Sequence, residues 1–174
     1  MSSSFLLSSS MLLVIAFAAA AAASGDGATP PEQQGAAAPA VIHPASPTTV
    51  TIIPNTNVAD AFKKGVPMLE TGEYKINAGR RDGAGPVEVH LRDSDIFYIL
   101  EGSATFITGG TVQEGKTTAP NEIRGTSISG GETHKVSKGD VVVIPHGVPH
   151  WFKEISQAPL LYFVVKSTAP EGTK

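Results

Sequence analysis

The chain has 174 residues, a formal net charge of −3 at pH 7 and no cysteine. The missing cysteine excludes disulfides, zinc ribbons and lipid-modified cysteines. A nearly neutral balance without a basic cluster argues against nucleic acid as a partner.

Residues 1–24 read as a signal peptide. The run 11–23 is continuously apolar, the length of an h-region and short of the roughly 20 residues a spanning helix needs. Alanines before Ser24 offer small residues for cleavage. The n-region has no Lys or Arg, and the alternative is an uncleaved anchor reaching back to Phe5. Residues 25–49 are rich in Ala, Pro and Gly, lack a hydrophobic period and read as a disordered linker, with His43 a solvated residue in it. The protein is therefore expected to be exported, periplasmic or extracellular, with no membrane span in its mature form.

Residues 50–174 are the size of one domain and read as all-β. Strands are expected at 50–53, 73–78, 87–90, 96–100, 103–108, 133–136, 141–144, 150–153 and 160–166, separated by Gly-, Pro- and Asp-containing turns. One short helix is expected in "NTNVADAFKKG", capped by Asn57 and ended by Gly65. Many short strands at regular spacing indicate a sandwich or barrel. Residues 109–131, bracketed by paired glycines, form an excursion: either a hairpin arm or lid whose flanking strands pair, or a surface loop without function.

Two stretches carry chemistry. In "VEVH", Glu88 and His90 are two apart in a strand and share a face. In "GDVVVIPHGVPHWFKE", residues 139–154, a buried strand runs into a rigid Pro/Gly turn that opens on His150 and can hold its imidazole in one direction. "DVVVI" lacks alternation and is expected to be covered on both faces, by sheet-on-sheet packing or by a dimer interface.

Together these stretches resemble the paired motifs of the cupin superfamily. The first motif has two histidines one residue apart, an acid three or four residues on, and a glycine. Here Glu88 takes the first histidine place, His90 keeps the second, Asp95 stands for the usual glutamate and Gly102 is present. In the second motif, Gly139, Pro145, Gly147 and His150 match and Glu154 stands in the asparagine place. The resemblance implies a jelly-roll β-barrel of six to eight strands, a homodimer, and one divalent metal at the wider mouth. Carried over, the ligands are Glu88, His90, Asp95 and His150.

Two histidines with a carboxylate suit non-haem iron(II), and a further carboxylate suits iron or manganese; zinc and nickel also fit. Asp95, one methylene shorter than glutamate, is expected as a ligand or as the catalytic base. Burying Glu88 near Asp95 without a cation is costly, which favours a metal; the alternative is a degenerate, metal-free site. His134 and His146 read as surface or packed residues, with the His146 ring toward solvent, and Glu154 as a hydrogen-bond partner of a neighbouring strand. Phe97, Tyr98, Phe106, Trp151, Phe152, Tyr162 and Phe163 read as core, one or two lining the pocket. Arg80 and Arg81 read as a solvated turn, with a clamp for a substrate carboxylate as the alternative.

The function expected is a metal-dependent enzyme on a small molecule, of dioxygenase, lyase or isomerase type. The alternative is a non-catalytic module binding a sugar or small acid.

Overall fold

A computed structural model of the chain describes residues 49–169. The expected signal peptide, and the linker with His43, lie outside the described residues except for residue 49. No described helix is long and apolar enough to cross a membrane.

The described part of the chain begins with the expected helix, α1 (Asn55–Lys64). Gly65 ends it as expected, in the left-handed region at φ 67°, its N–H donating to the Ala61 carbonyl at 2.8 Å. Its start differs. The N-cap is Pro54, which makes no side-chain cap, so Asn57 lies inside the first turn. Residues 50–53 are not a strand. Val50 and Ile52 are exposed, and Ile53 packs against the cluster of Ala61, Met68 and Ala78 on the helix side of the sheet. A β-branched run becomes a strand only where a neighbouring strand takes up its backbone groups.

Eleven strands follow among the described residues. They are β1 (Pro67–Glu70), β2 (Tyr74–Arg81), β3 (Val87–His90), β4 (Asp93–Thr108), β5 (Thr111–Gln113), β6 (Lys116–Ala119), β7 (Glu122–Gly125), β8 (Ser127–Ser129), β9 (Glu132–Ser137), β10 (Val141–Ile144) and β11 (His150–Thr168). Nine form one sheet, and β5 pairs with β8 apart from it. The expected pairs of strands 96–100/103–108 and 150–153/160–166 are each one long strand, β4 and β11, antiparallel along their whole length.

These two strands organise the barrel. The first half of β4 pairs with β10 on one edge and with the second half of β11 on the other, and β2 and β1 continue that sheet. The second half of β4 pairs with β9 and with the start of β11, and β3, β7 and β6 continue from there. Gly102 marks the corner in β4. Its φ is 82°, and a Cβ there would lie 2.5 Å from the Gln157 carbonyl oxygen, so the bend needs glycine.

Inward side chains of both halves meet in one core. Phe97, Ile99, Phe106, Phe152, Leu160, Tyr162 and Val164 are all buried in it. The Phe97 and Phe152 rings stack at 5.9 Å, and Phe106 meets Phe152 at 4.6 Å, distances at which aromatic pairs add to burial. Tyr98 departs from expectation, pointing outward and exposed, whereas Phe163 packs in the second core cluster beside α1 and Trp151 is half-buried, donating to the Gly85 carbonyl at 2.7 Å. In strand 141–144, Val141 and Val143 are more than half exposed and only Ile144 is buried, so among the described residues of one chain the second face is not covered by another sheet. An unalternating apolar run carries the same letters whether its second face is covered or open.

Candidate functional site

The sheet register assembles the site. Glu88 and His90 lie on one face of β3, as their spacing requires. Glu88 is the cross-strand partner of His150 on one side and of Arg124 in β7 on the other; His90 pairs with Glu122. In β4 the buried positions alternate through Asp93, Asp95, Phe97 and Ile99, so Asp95 faces the interior and is 1% exposed. Its register partner in β11 is Lys166, which follows Leu160, Tyr162 and Val164 on the inward face.

Both histidines present Nε2 to the centre, because each Nδ1 is tied elsewhere. Nδ1–H of His150 donates to the Val148 carbonyl at 3.1 Å, inside the rigid turn. Nδ1 of His90 lies 2.7 Å from Glu122 Oε1. An outer hydrogen bond of this kind orients a metal-binding histidine and makes its free nitrogen more basic.

At the centre, Glu88 Oε2 is 3.6 Å from His90 Nε2 and 3.9 Å from His150 Nε2. Asp95 Oδ2 is 3.3 and 3.8 Å from the same two nitrogens. The buried Nε2 of His150 has no hydrogen-bond partner. Burial lowers the pKa of that ring, so its neutral form aims a lone pair at two carboxylates. An acceptor facing acceptors across a buried gap leaves room for a cation. Metal bonds of about 2.0–2.2 Å set ligand edges of roughly 3.0–3.6 Å, near the observed separations. Glu88, His90 and His150 can thus hold a metal ion.

The carboxylates are already balanced by the chain. Glu88 Oε1 accepts from Arg81 Nη2 at 2.8 Å, and Oε2 lies 2.9 Å from Arg124 Nη1. Arg124 also reaches Glu122 at 3.2 Å. Lys166 Nζ donates to both oxygens of Asp95 at 2.8 Å. Burial alone would raise the Glu88 pKa, but His90 and the two arginines hold it well below the usual carboxylate range. Burial likewise opposes ionisation of Asp95, and His90 with Lys166 outweighs it. As expected, these acids are not buried without cations; the cations are Arg81, Arg124 and Lys166, so charge balance does not by itself call for a metal.

His90 is contested. Lys166 Nζ lies 2.8 Å from its Nε2, and an ammonium can only donate, so this contact needs a lone pair on Nε2 and a proton on Nδ1, facing Glu122. Burial also favours the neutral ring, but the hydrogen bonds to Asp95 and Glu88 prevail and raise its pKa. The shorter ammonium contact fits the neutral ring, which nonetheless takes up a proton more readily than a free imidazole.

A cleft of about 350 Å³ opens beside these groups. Arg80, Arg81, Arg124, Lys166, Phe97 and Tyr162 line it, with Glu88 and Asp95. Arg81 belongs to β2, not to a solvated turn. Its Nε donates to the Tyr162 hydroxyl at 3.0 Å and its guanidinium lies 5.1 Å from the centre of the Phe152 ring. Arg80 pairs with Asp82. His134 lies apart, 3.0 Å from the Thr108 hydroxyl; His146 is half-buried in its turn and Glu154 is exposed.

Glu122, Arg124 and Lys166 did not stand out in the sequence. The signals were present but weak: charges alternating with Ile123 in "NEIRG", and a lysine at the inward position that ends the alternation from Tyr162.

No curated protein matches the chain. Solved structures do. A Bacillus halodurans protein superposes with TM-score 0.50 at 14% identity, over 74% of this chain and 90% of its own. An RmlC-like cupin family protein with a double-stranded β-helix fold from Methanocaldococcus jannaschii gives 0.44 at 19% identity, over 62% and 81%. The DMSP lyase DddQ from Ruegeria pomeroyi gives 0.41 at 18% identity, over 62% of this chain and 44% of the lyase. The cupin family profile matches residues 43–174. With both motifs converging on one buried centre of an all-β jelly roll, the chain belongs to the cupin family.

Proposed function

We propose that this cupin is an exported, metal-dependent enzyme acting on a small oxygen-bearing molecule, with one divalent metal held by Glu88, His90 and His150. The single observation that carries the reading is the buried, partnerless Nε2 of His150, aimed at two carboxylates. Two imidazoles and a carboxylate favour iron or manganese, with zinc and nickel as further candidates. Such a metal supplies Lewis-acid polarisation of a carbonyl or enolate oxygen, or activation of oxygen.

The chain's own residues do the rest. Arg80, Arg81, Arg124 and Lys166 line the cleft; Asp82, Glu88, Glu122 and Asp95 balance their charge, so they offer hydrogen-bond donors to an oxygen-bearing substrate without a net positive field. Phe97 and Tyr162 give the cleft an apolar wall that limits water. Asp95, in the cleft lining and beside His90, is the proposed proton acceptor, once Lys166 releases one of its oxygens.

The test is elemental analysis of purified protein, wild type beside Glu88→Ala and His150→Ala. Stoichiometric metal in the wild type and its loss from both variants is the expected result. Full metal content in both variants would end this ligand assignment. A second reading, a metal-free binding module for a sugar or small acid, draws on the internal charge balance. Stabilisation by a small acid after complete metal removal, in protein that never takes up metal, would favour it.

The proposed homodimer has a candidate face. Ile96, Tyr98, Val141 and Val143 are exposed on paired strands, with Val141 opposite Tyr98 and Val143 opposite Ile96. A contiguous apolar patch on a sheet suits a protein interface. Val143→Glu is expected to halve the mass measured by light scattering.

A further inference from the structure

We propose that Lys166 is a built-in cation of the metal centre: it keeps Asp95 out of the ligand set and contests His90 Nε2 with the incoming metal ion. The inference rests on the metal reading above and adds to it a residue outside both sequence motifs.

The geometry is that of a small cation in a three-acceptor cradle. Nζ is 2.8 Å from Asp95 Oδ1, 2.8 Å from Oδ2 and 2.8 Å from His90 Nε2. An ammonium has three N–H groups, and three acceptors surround it. Its place is set by the backbone, since Lys166 and Asp95 are register partners across β11 and β4. The inward face of β11 otherwise carries Leu160, Tyr162 and Val164, all buried. A lysine on such a face is costly unless it is paired, and its partner Asp95, more deeply buried still, depends on it in turn.

Two consequences follow for metal binding. Asp95, chelated through both oxygens, is not free to turn toward a metal between the histidines, although it lies as near to them as Glu88 does. The lone pair of His90 Nε2, which a metal must have, is already in use. Loading therefore requires Lys166 to release His90 while it keeps Asp95. The centre is left with two imidazoles and one carboxylate, and with open positions that a fourth ligand would fill.

Titration calorimetry of chelator-stripped protein with Mn²⁺ and with Zn²⁺ tests this in three proteins: wild type, Lys166→Met and Asp95→Asn/Lys166→Met. Lys166→Met frees both Asp95 and Nε2, and its affinity is expected to rise roughly 10–100-fold, the range over which outer groups tune metal sites. The double variant frees Nε2 alone and leaves no lone buried carboxylate. It is expected to bind more tightly than wild type but less tightly than Lys166→Met. If Lys166→Met does not fold, the double variant decides. Wild type that binds metal, with variants no tighter, overturns the role of Lys166 and leaves the metal reading standing. Metal binding only in the variants supports Lys166 as the resident cation and overturns the metal reading for the natural protein. No binding in any of the three overturns both.

Discussion

Glu122 holds His90 from behind: its Oε1 lies 2.7 Å from Nδ1, and the two residues are register partners across β7 and β3. The segment that looked like a loop or a lid thus supplies a wall of the site. Glu122→Ala leaves the imidazole free to rotate and less basic at Nε2. Metal affinity is expected to fall roughly 10–100-fold with little change in thermal midpoint, as read by chelator competition. An unchanged affinity would show that Glu122 does not orient the ring.

Arg81 and Arg80 are adjacent but not equivalent. Arg81 is largely buried, on Glu88 and Tyr162, whereas Arg80 pairs with a solvent-facing Asp82. Truncating Arg81 to Ala leaves a half-paired, partly buried acid and is expected to cost about 1–3 kcal/mol. Arg80→Ala is expected to cost about 0–1 kcal/mol. Urea unfolding of both variants beside the wild type measures the difference, and equal losses would contradict the burial argument.

Gly79 carries the Tyr162 ring. A Cβ at this position would lie 2.4 Å from Tyr162 Cε2, and the two residues are register partners. Gly79→Ala is expected to push the ring off the strand, cost about 1–3 kcal/mol by overpacking and alter the near-ultraviolet circular dichroism. Gly83→Ala, which meets nothing within 4 Å, is the control and is expected to leave that signal unchanged.

Acid sensitivity follows from Glu88 and Asp95. Their folded pKa values lie below the ordinary 4.5 and 3.8. Groups depressed by folding contribute stability that is full above the unfolded pKa and is lost as pH falls toward the folded one. Unfolding free energy is therefore expected to be level with respect to these two acids above about pH 5 and to drop below about pH 4.5. In Glu88→Gln, urea titrations from pH 3 to 7 should show a shallower acid limb. An identical limb would mean that other carboxylates carry it.

The elements visible in the sequence were those whose signal is local. Strands 87–90 and 141–144 were bounded as they stand, and Gly65 ended its helix, because apolar runs and a left-handed glycine act on their own neighbours. Glu88, His90 and His150 converge because motif spacing encodes register. What stayed hidden depends on distant partners. Lys166 becomes part of the site only through its pairing with Asp95, 71 residues away, and Arg124 only because β7 adds to β3. The strands at 67–70 and 122–125 are short and half polar, and their pairing partners define them.

His150 and Lys166 lie 16 positions apart on a single strand, which if straight would separate them by roughly 50 Å. Yet His150 Nε2 and Lys166 Nζ both reach Asp95 Oδ2. The β4–β11 ribbon is thus rolled until its far end touches its beginning, and the candidate centre is the clasp. Any ion that joins His150 to His90 and Glu88 fastens that clasp and adds its binding energy to closure of the whole ribbon. Slowed amide exchange should then spread to residues far from the centre, along both long strands, so that the barrel as a whole reports whether the clasp is shut.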